Sequence, residues 1–112
     1  MSEESLFLYH LTLTPAYHDP SHWTDKDRQT IGAHAAFFDE LGKQGHLIFA
    51  GRTQFDPGHE NLFGIALIKA ESLAAAEAMM ADDPAVVHGI QQSQVFPFAV
   101  AIDHFANIIK DQ

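Results

Sequence analysis

The stretch His34-Ala-Ala-Phe-Phe-Asp-Glu-Leu-Gly-Lys-Gln-Gly-His-Leu-Ile-Phe-Ala-Gly51 decides how the chain folds. Its first half belongs to a helical stripe, Ile31, His34, Ala35, Phe38 and Leu41, spaced so that one face is apolar. Gly45 is the natural residue just past a helix end, because a left-handed turn costs glycine least. His46 to Thr53 then reads as a strand. A titratable ring therefore sits on the greasy side of a helix that runs straight into a sheet. Such a ring is either a core histidine with a satisfied partner or chemistry shielded from water.

Working outward, Thr24 followed by Asp27 resembles a capping box and starts the helix, which spans about 25–44. Upstream, Ser5–Leu13 alternates with apolar residues on both faces, the pattern of a strand covered on both sides. The Pro-, Asp- and Ser-containing segment from Thr14 to Trp23 between them is a loop. Downstream, Asp56 to Asn61 carries turn residues and 61–69 reads as a third strand, so 46–69 is a hairpin with a long loop. Ser72 caps a second helix that ends near Ala81. Asp83 caps a further helical turn with Pro84 at its first position, and Gly89 closes it. The segment from Gln92 to Phe105 reads as a fourth strand with Pro97 marking an edge or bulge, and 106–112 as a last turn or frayed end.

The order is β-α-β-β-α-β, the ferredoxin-like split βαβ: an α+β domain with a four-stranded antiparallel sheet and two helices on one face. The other sheet face would be a large bare apolar patch, so a homodimer through the sheet is expected. The 112 residues make one domain, with a core over about 5–100.

Composition narrows the function. A hydrophobic share of 46% against 19% charged is that of a folded globule rather than a disordered chain. Fifteen acids against 6 basic residues give a net charge of −9, which argues against nucleic acid and against an anionic membrane surface. No apolar run approaches the ~20 residues needed to span a bilayer, and the acidic start lacks a signal-peptide pattern. There are no cysteines, hence no disulfide framework and no thiolate nucleophile. A cytoplasmic protein is expected. Eight histidines invite a metal reading, yet HExxH and HxH are absent. His18 and His22 are spaced i, i+4 only within a Pro-containing loop, so no metal is expected. With no GxGxxG, P-loop or GxSxG, neither a nucleotide cofactor nor a serine nucleophile is expected.

Three stretches carry a family resemblance. His34 leads through Gly45 into Leu47–Gly51; Ser72 to Ala78 forms an Ala-rich helix; Asp83-Pro84 is followed by Gly89 and a late Pro97-Phe98. In this order and spacing the chain, over roughly 5–100, resembles the YciI-like (YCII-related) family of the dimeric α+β barrel group. The resemblance implies a His–Asp pair, mapping to His34 and Asp83, and a lyase- or dehydrochlorinase-like activity on a small molecule. Two positions depart from it. Lys43 and Gln44 stand where many relatives place an acid before the glycine, and Arg52 follows Gly51 where relatives tend to have proline. The segment before the first helix also looks longer than the family's loop and is expected to cover the pocket.

From the residues themselves, His34 is the candidate proton carrier, histidine being the side chain best suited to general acid–base work. Asp83 is the first choice for its acid partner with Asp82 behind it, although a carboxylate held as a helix cap is not expected to reach His34 easily. Asp39 lies about 140° round the helix from His34 and is excluded. Arg52 could pair a substrate carboxylate, next to Gly51, and His10 could line the same cleft if it lies on the helix side of the sheet. A Phe37–Phe38 wall would dry the site. Two functions follow: a small-molecule lyase or isomerase using His34 as proton shuttle on an aromatic or acidic substrate, or a non-catalytic module that only holds a small ligand. A pocket with a carboxylate within reach of His34 favours the first, and a closed core the second.

Overall fold

The computed structural model describes residues 4–108. Its elements are β1 (Ser5–Leu13), α1 (Asp25–Lys43), β2 (Leu47–Arg52), β3 (Gly64–Ala70), α2 (Leu73–Met80), α3 (Pro84–Val87) and β4 (Gln91–Phe98). The sheet is antiparallel in the order β2-β3-β1-β4, the expected ferredoxin-like topology.

Local chemistry sets the boundaries. Thr24 and Asp27 form the reciprocal capping box, and Gly45 adopts φ 86° beyond the end of α1. Ser72 and Asp83 cap α2 and α3 through their side chains. The alternation of β1 then decides the layers. Phe7, Tyr9 and Leu11 are buried against Phe38 and Leu41 of α1, Ala76 and Met80 of α2, and Ala66 and Ile68 of β3. Burying each large apolar side chain contributes about 1.5–3 kcal/mol, and this layer holds the domain together.

Two boundaries differ from the sequence reading by more than one residue. β3 begins at Gly64 rather than at 61, because Asn61 and Leu62 belong to the turn, where the Leu62 N–H donates to His59 O. β4 stops at Phe98 instead of running to Phe105. Phe98 already pairs with Leu6, one residue from the start of β1, so a longer strand would have no partner. The chain instead turns over the far face of the sheet, with a short 3₁₀ turn at Phe105–Asn107. The Phe105 ring lies 6.4 Å from Phe49, which shares that face with Leu67. The far face is therefore partly covered by the chain's own tail, while Phe96 and Phe98 remain exposed on it. Residues 109–112 of the expected last turn lie outside the described residues. No helix among the described residues is long and apolar enough to cross a membrane.

Candidate functional site

Asp83 is fully buried, and three donors converge on its carboxyl group. The Ala85 N–H donates to Oδ1 at 3.0 Å as the helix cap. His34 Nδ1 donates to the same oxygen at 2.7 Å, and the Tyr9 hydroxyl donates to Oδ2 at 3.0 Å. Capping and reaching His34 are thus not exclusive, contrary to the sequence expectation. A carboxylate has about four lone-pair sites, and the cap uses one of them. The pairing fixes the tautomer of His34. With Nδ1–H committed to a carboxylate that only accepts, Nε2 is the unprotonated nitrogen of the neutral ring.

The imidazole is held from its sides as well. Phe38 meets it edge-on with ring centroids 4.9 Å apart, and the same phenylalanine packs 5.8 Å from Tyr9. Burial pushes the Tyr9 phenol well above its ordinary value. A hydrogen bond with Ser93 works the other way, and the charge of Asp83 adds to the rise. Tyr9 therefore stays a neutral donor to Asp83. The sequence reading placed Tyr9 only as a strand residue. The signal was there, since a phenol on the buried face of a strand needs a hydrogen-bond partner inside the core.

His34 is 18% exposed, and what it faces is a cleft of about 700 Å³. Leu11, Trp23, Ile31, Phe38 and Leu62 give that cleft mostly apolar walls, with Arg52 and Gln91 among its polar ones. Nε2 has no hydrogen-bond partner among the described residues and is available to whatever enters. Two loops form part of the cleft. Trp23, its indole N–H donating to Tyr17 O at 2.9 Å, comes from the segment before α1, as expected of that segment. Pro57 and Leu62 come from the β2–β3 loop. Gly58 joins the two loops: at φ 89°, a Cβ there would sit 2.8 Å from His18 O, so only glycine fits.

The remaining candidates separate. Arg52 pairs with Gly64, which in turn pairs with Leu11, so its side chain shares the helix side of the sheet and lines the cleft. It is exposed and has no ion pair among the described residues, whereas Arg28 pairs with Asp25 and Lys43 with Asp39. Gly51 lines the cleft, but a Cβ there would meet nothing within 4 Å, so no close approach requires glycine. His10 is not brought to His34. It alternates with Tyr9 onto the opposite face, where its ring lies 5.3 Å from Phe63. Phe37 also stays out of the cleft and packs behind Phe38 at 5.5 Å, so the expected two-ring wall is Phe38 alone. His18 and His22 are engaged separately: His18 Nε2 with Leu13 O at 3.2 Å, and His22 with Asp19 at 3.6 Å. The Asp19 carboxyl is held below its ordinary range by hydrogen bonds from the Ser21 side chain and backbone.

Comparison with known proteins agrees with this architecture. The fold is similar to that of 5-chloro-2-hydroxyhydroquinone dehydrochlorinase from Burkholderia phenoliruptrix AC1100, solved in complex with 2,5-dihydroxybenzoquinone. The TM-score is 0.55 at 18% identity, over 84% of this chain and 93% of that one. SnoaB, a cofactor-independent oxygenase from Streptomyces nogalater, matches at a TM-score of 0.45 and 13% identity, over 91% of this chain and 97% of that one. A search of curated proteins gives no match. The model of the YCII-related domain matches residues 10–99, and the chain belongs to that family.

Proposed function

We propose that this protein is a small-molecule enzyme in which His34 moves a proton and Asp83 keeps its ring oriented. The observation that supports this best is the 2.7 Å contact between His34 and a fully buried carboxylate, at the wall of an open apolar cleft. In the proposed step, Nε2 takes a proton from an acidic carbon of the substrate. The electron pair of the broken C–H bond enters an adjacent carbonyl-conjugated system. In a lyase the leaving group then departs with its own pair; in an isomerase His34 returns the proton to another carbon. Asp83 stabilises the imidazolium formed in between, and its full burial strengthens that interaction. Proton transfer by a positioned histidine is typically worth ~10²–10⁴ in rate. Arg52, a cation with no ion pair among the described residues of a chain of net charge −9, is suited to an acidic substrate group. The shared fold makes elimination of the dehydrochlorinase kind one of the reactions to screen.

The same reading takes the protein as a cytoplasmic homodimer. Phe96 and Phe98, 44% and 42% exposed on the far face of the sheet, support pairing there. Sedimentation at micromolar concentration tests it: a dimer is expected, and a compact monomer contradicts it.

The function is tested by incubating ring-bearing and enolisable acids with the wild type and with His34→Ala, following both binding and conversion by NMR. Conversion by the wild type alone supports an enzyme. Binding by both proteins with conversion by neither is the result expected of a ligand-holding module.

A further inference from the structure

One buried side-chain atom among the described residues has no hydrogen-bond partner: Oε1 of Gln91. Gln91 opens β4 opposite Leu13 and lines the cleft that His34 faces. Its neighbours along the same side of the strand, Ser93 and Val95, show no such deficit among the described residues, and Val95 packs on the core. A buried acceptor left unpaired is costly, and native structures keep few of them. The terminal amide torsion of glutamine is soft, so the group can turn from the wall toward a molecule in the cleft at little expense. An amide oxygen there can only accept, so what relieves it is a ligand O–H or N–H.

We infer that Gln91 is the specificity residue of this cleft and selects ligands carrying a hydroxyl or amino donor on an apolar ring. The inference rests on the proposed function only in naming the acid end of the ligand, which Arg52 would meet. It adds the other end. The ligand class becomes a ring-bearing acid with a hydrogen-bond donor placed toward β4, and its ring lies among Trp23, Ile31 and Phe38. Discrimination of this kind is strong because a ligand that lacks the donor leaves the site's acceptor buried and unpaired.

The test compares a hydroxynaphthoate with the methoxynaphthoate of the same substitution pattern, by calorimetry, on the wild type and on Gln91→Leu. The wild type is expected to bind the hydroxy compound about tenfold more tightly, and Gln91→Leu to lose that preference. Gln91→Leu is also expected to melt no lower than the wild type, because it removes an unpaired buried acceptor. Equal binding of the two probes by the wild type, binding of neither, or a preference that survives Gln91→Leu would overturn the inference. The outcome is separable from the proton chemistry. Equal binding alongside His34-dependent conversion of any acid removes only the role of Gln91. A preference lost in Gln91→Leu, with no conversion of any acid, removes only the enzyme.

Discussion

Tyr9 and Asp83 lie 74 residues apart in sequence and meet through a 3.0 Å hydrogen bond inside the core. That bond ties an inner strand to the cap of α3 and leaves the other carboxylate oxygen for His34 and the Ala85 N–H. The position of the candidate proton carrier therefore depends on the packing of the whole domain. Tyr9 belongs to the core, Asp83 ends a turn, and His34 takes its orientation from both.

Asp83→Asn tests the orienting role. An amide in place of the carboxylate cannot satisfy the three donors that now converge there, so stability is expected to fall by about 1–3 kcal/mol. The ring of His34 also loses the partner that holds its tautomer. Turnover of any substrate found is expected to drop by ~10²–10⁴, well beyond what the stability change explains. Denaturant titration and turnover on the same preparation check both parts. Unchanged turnover in a folded variant contradicts the role.

Tyr9 gives the protein a pH signature on the alkaline side. Its folded-state value is raised above the ordinary ~10 mainly by burial, so above that pH the unfolded chain releases the phenolic proton while the folded protein keeps it. The stabilising contribution is fully present below about pH 10 and is lost as the pH climbs further. Tyr9→Phe is expected to be less stable at neutral pH, because Asp83 loses a donor, and to lack this alkaline component. Melting curves between neutrality and high pH decide it.

Much of the fold was legible because its signals are local. The Thr24–Asp27 box, Gly45, the Ser72 cap and the Asp83-Pro84 start each act within a few residues, and β1 shows its alternation directly. The end of β4 was not legible. Residues 99–105 look strand-forming, but whether they pair depends on where β1 begins. The site was half legible for the same reason. His34 and Asp83 stand out by type and position, whereas the side of the sheet that His10 faces follows from the register. That Asp83 could serve both its cap and His34 was not legible, because it rests on one oxygen, Oδ1, accepting from both the Ala85 N–H and His34 while Oδ2 accepts from Tyr9.

Arg52→Gln separates ligand recognition from folding. The side chain is exposed and unpaired among the described residues, so stability is expected to stay within about 0.5 kcal/mol of the wild type. Binding of a carboxylate ligand is expected to weaken by roughly 10- to 100-fold and to lose most of its salt dependence. Affinity measured at low and at high ionic strength shows whether it does.

Gly58→Ala probes the clasp between the two loops at the cleft. A methyl group there meets the backbone oxygen of His18 at 2.8 Å, and the φ of 89° is strained for alanine. A loss of about 1–3 kcal/mol is expected, along with faster proteolysis within 15–23 and 53–63. Unchanged stability and unchanged loop cleavage would mean that the two loops are not clasped in solution.

The most direct measurement of the central claim is deuterium uptake by enolisable ring-bearing acids in heavy water, with the wild type and His34→Ala side by side. If Nε2 of His34 is the base, the wild type accelerates exchange at the carbon next to the carbonyl. His34→Ala, with an unchanged circular dichroism spectrum, then slows that exchange by ~10²–10⁴. Exchange that His34→Ala leaves untouched, or a variant that unfolds while the wild type exchanges none of the acids, would contradict the account and return His34 to the core.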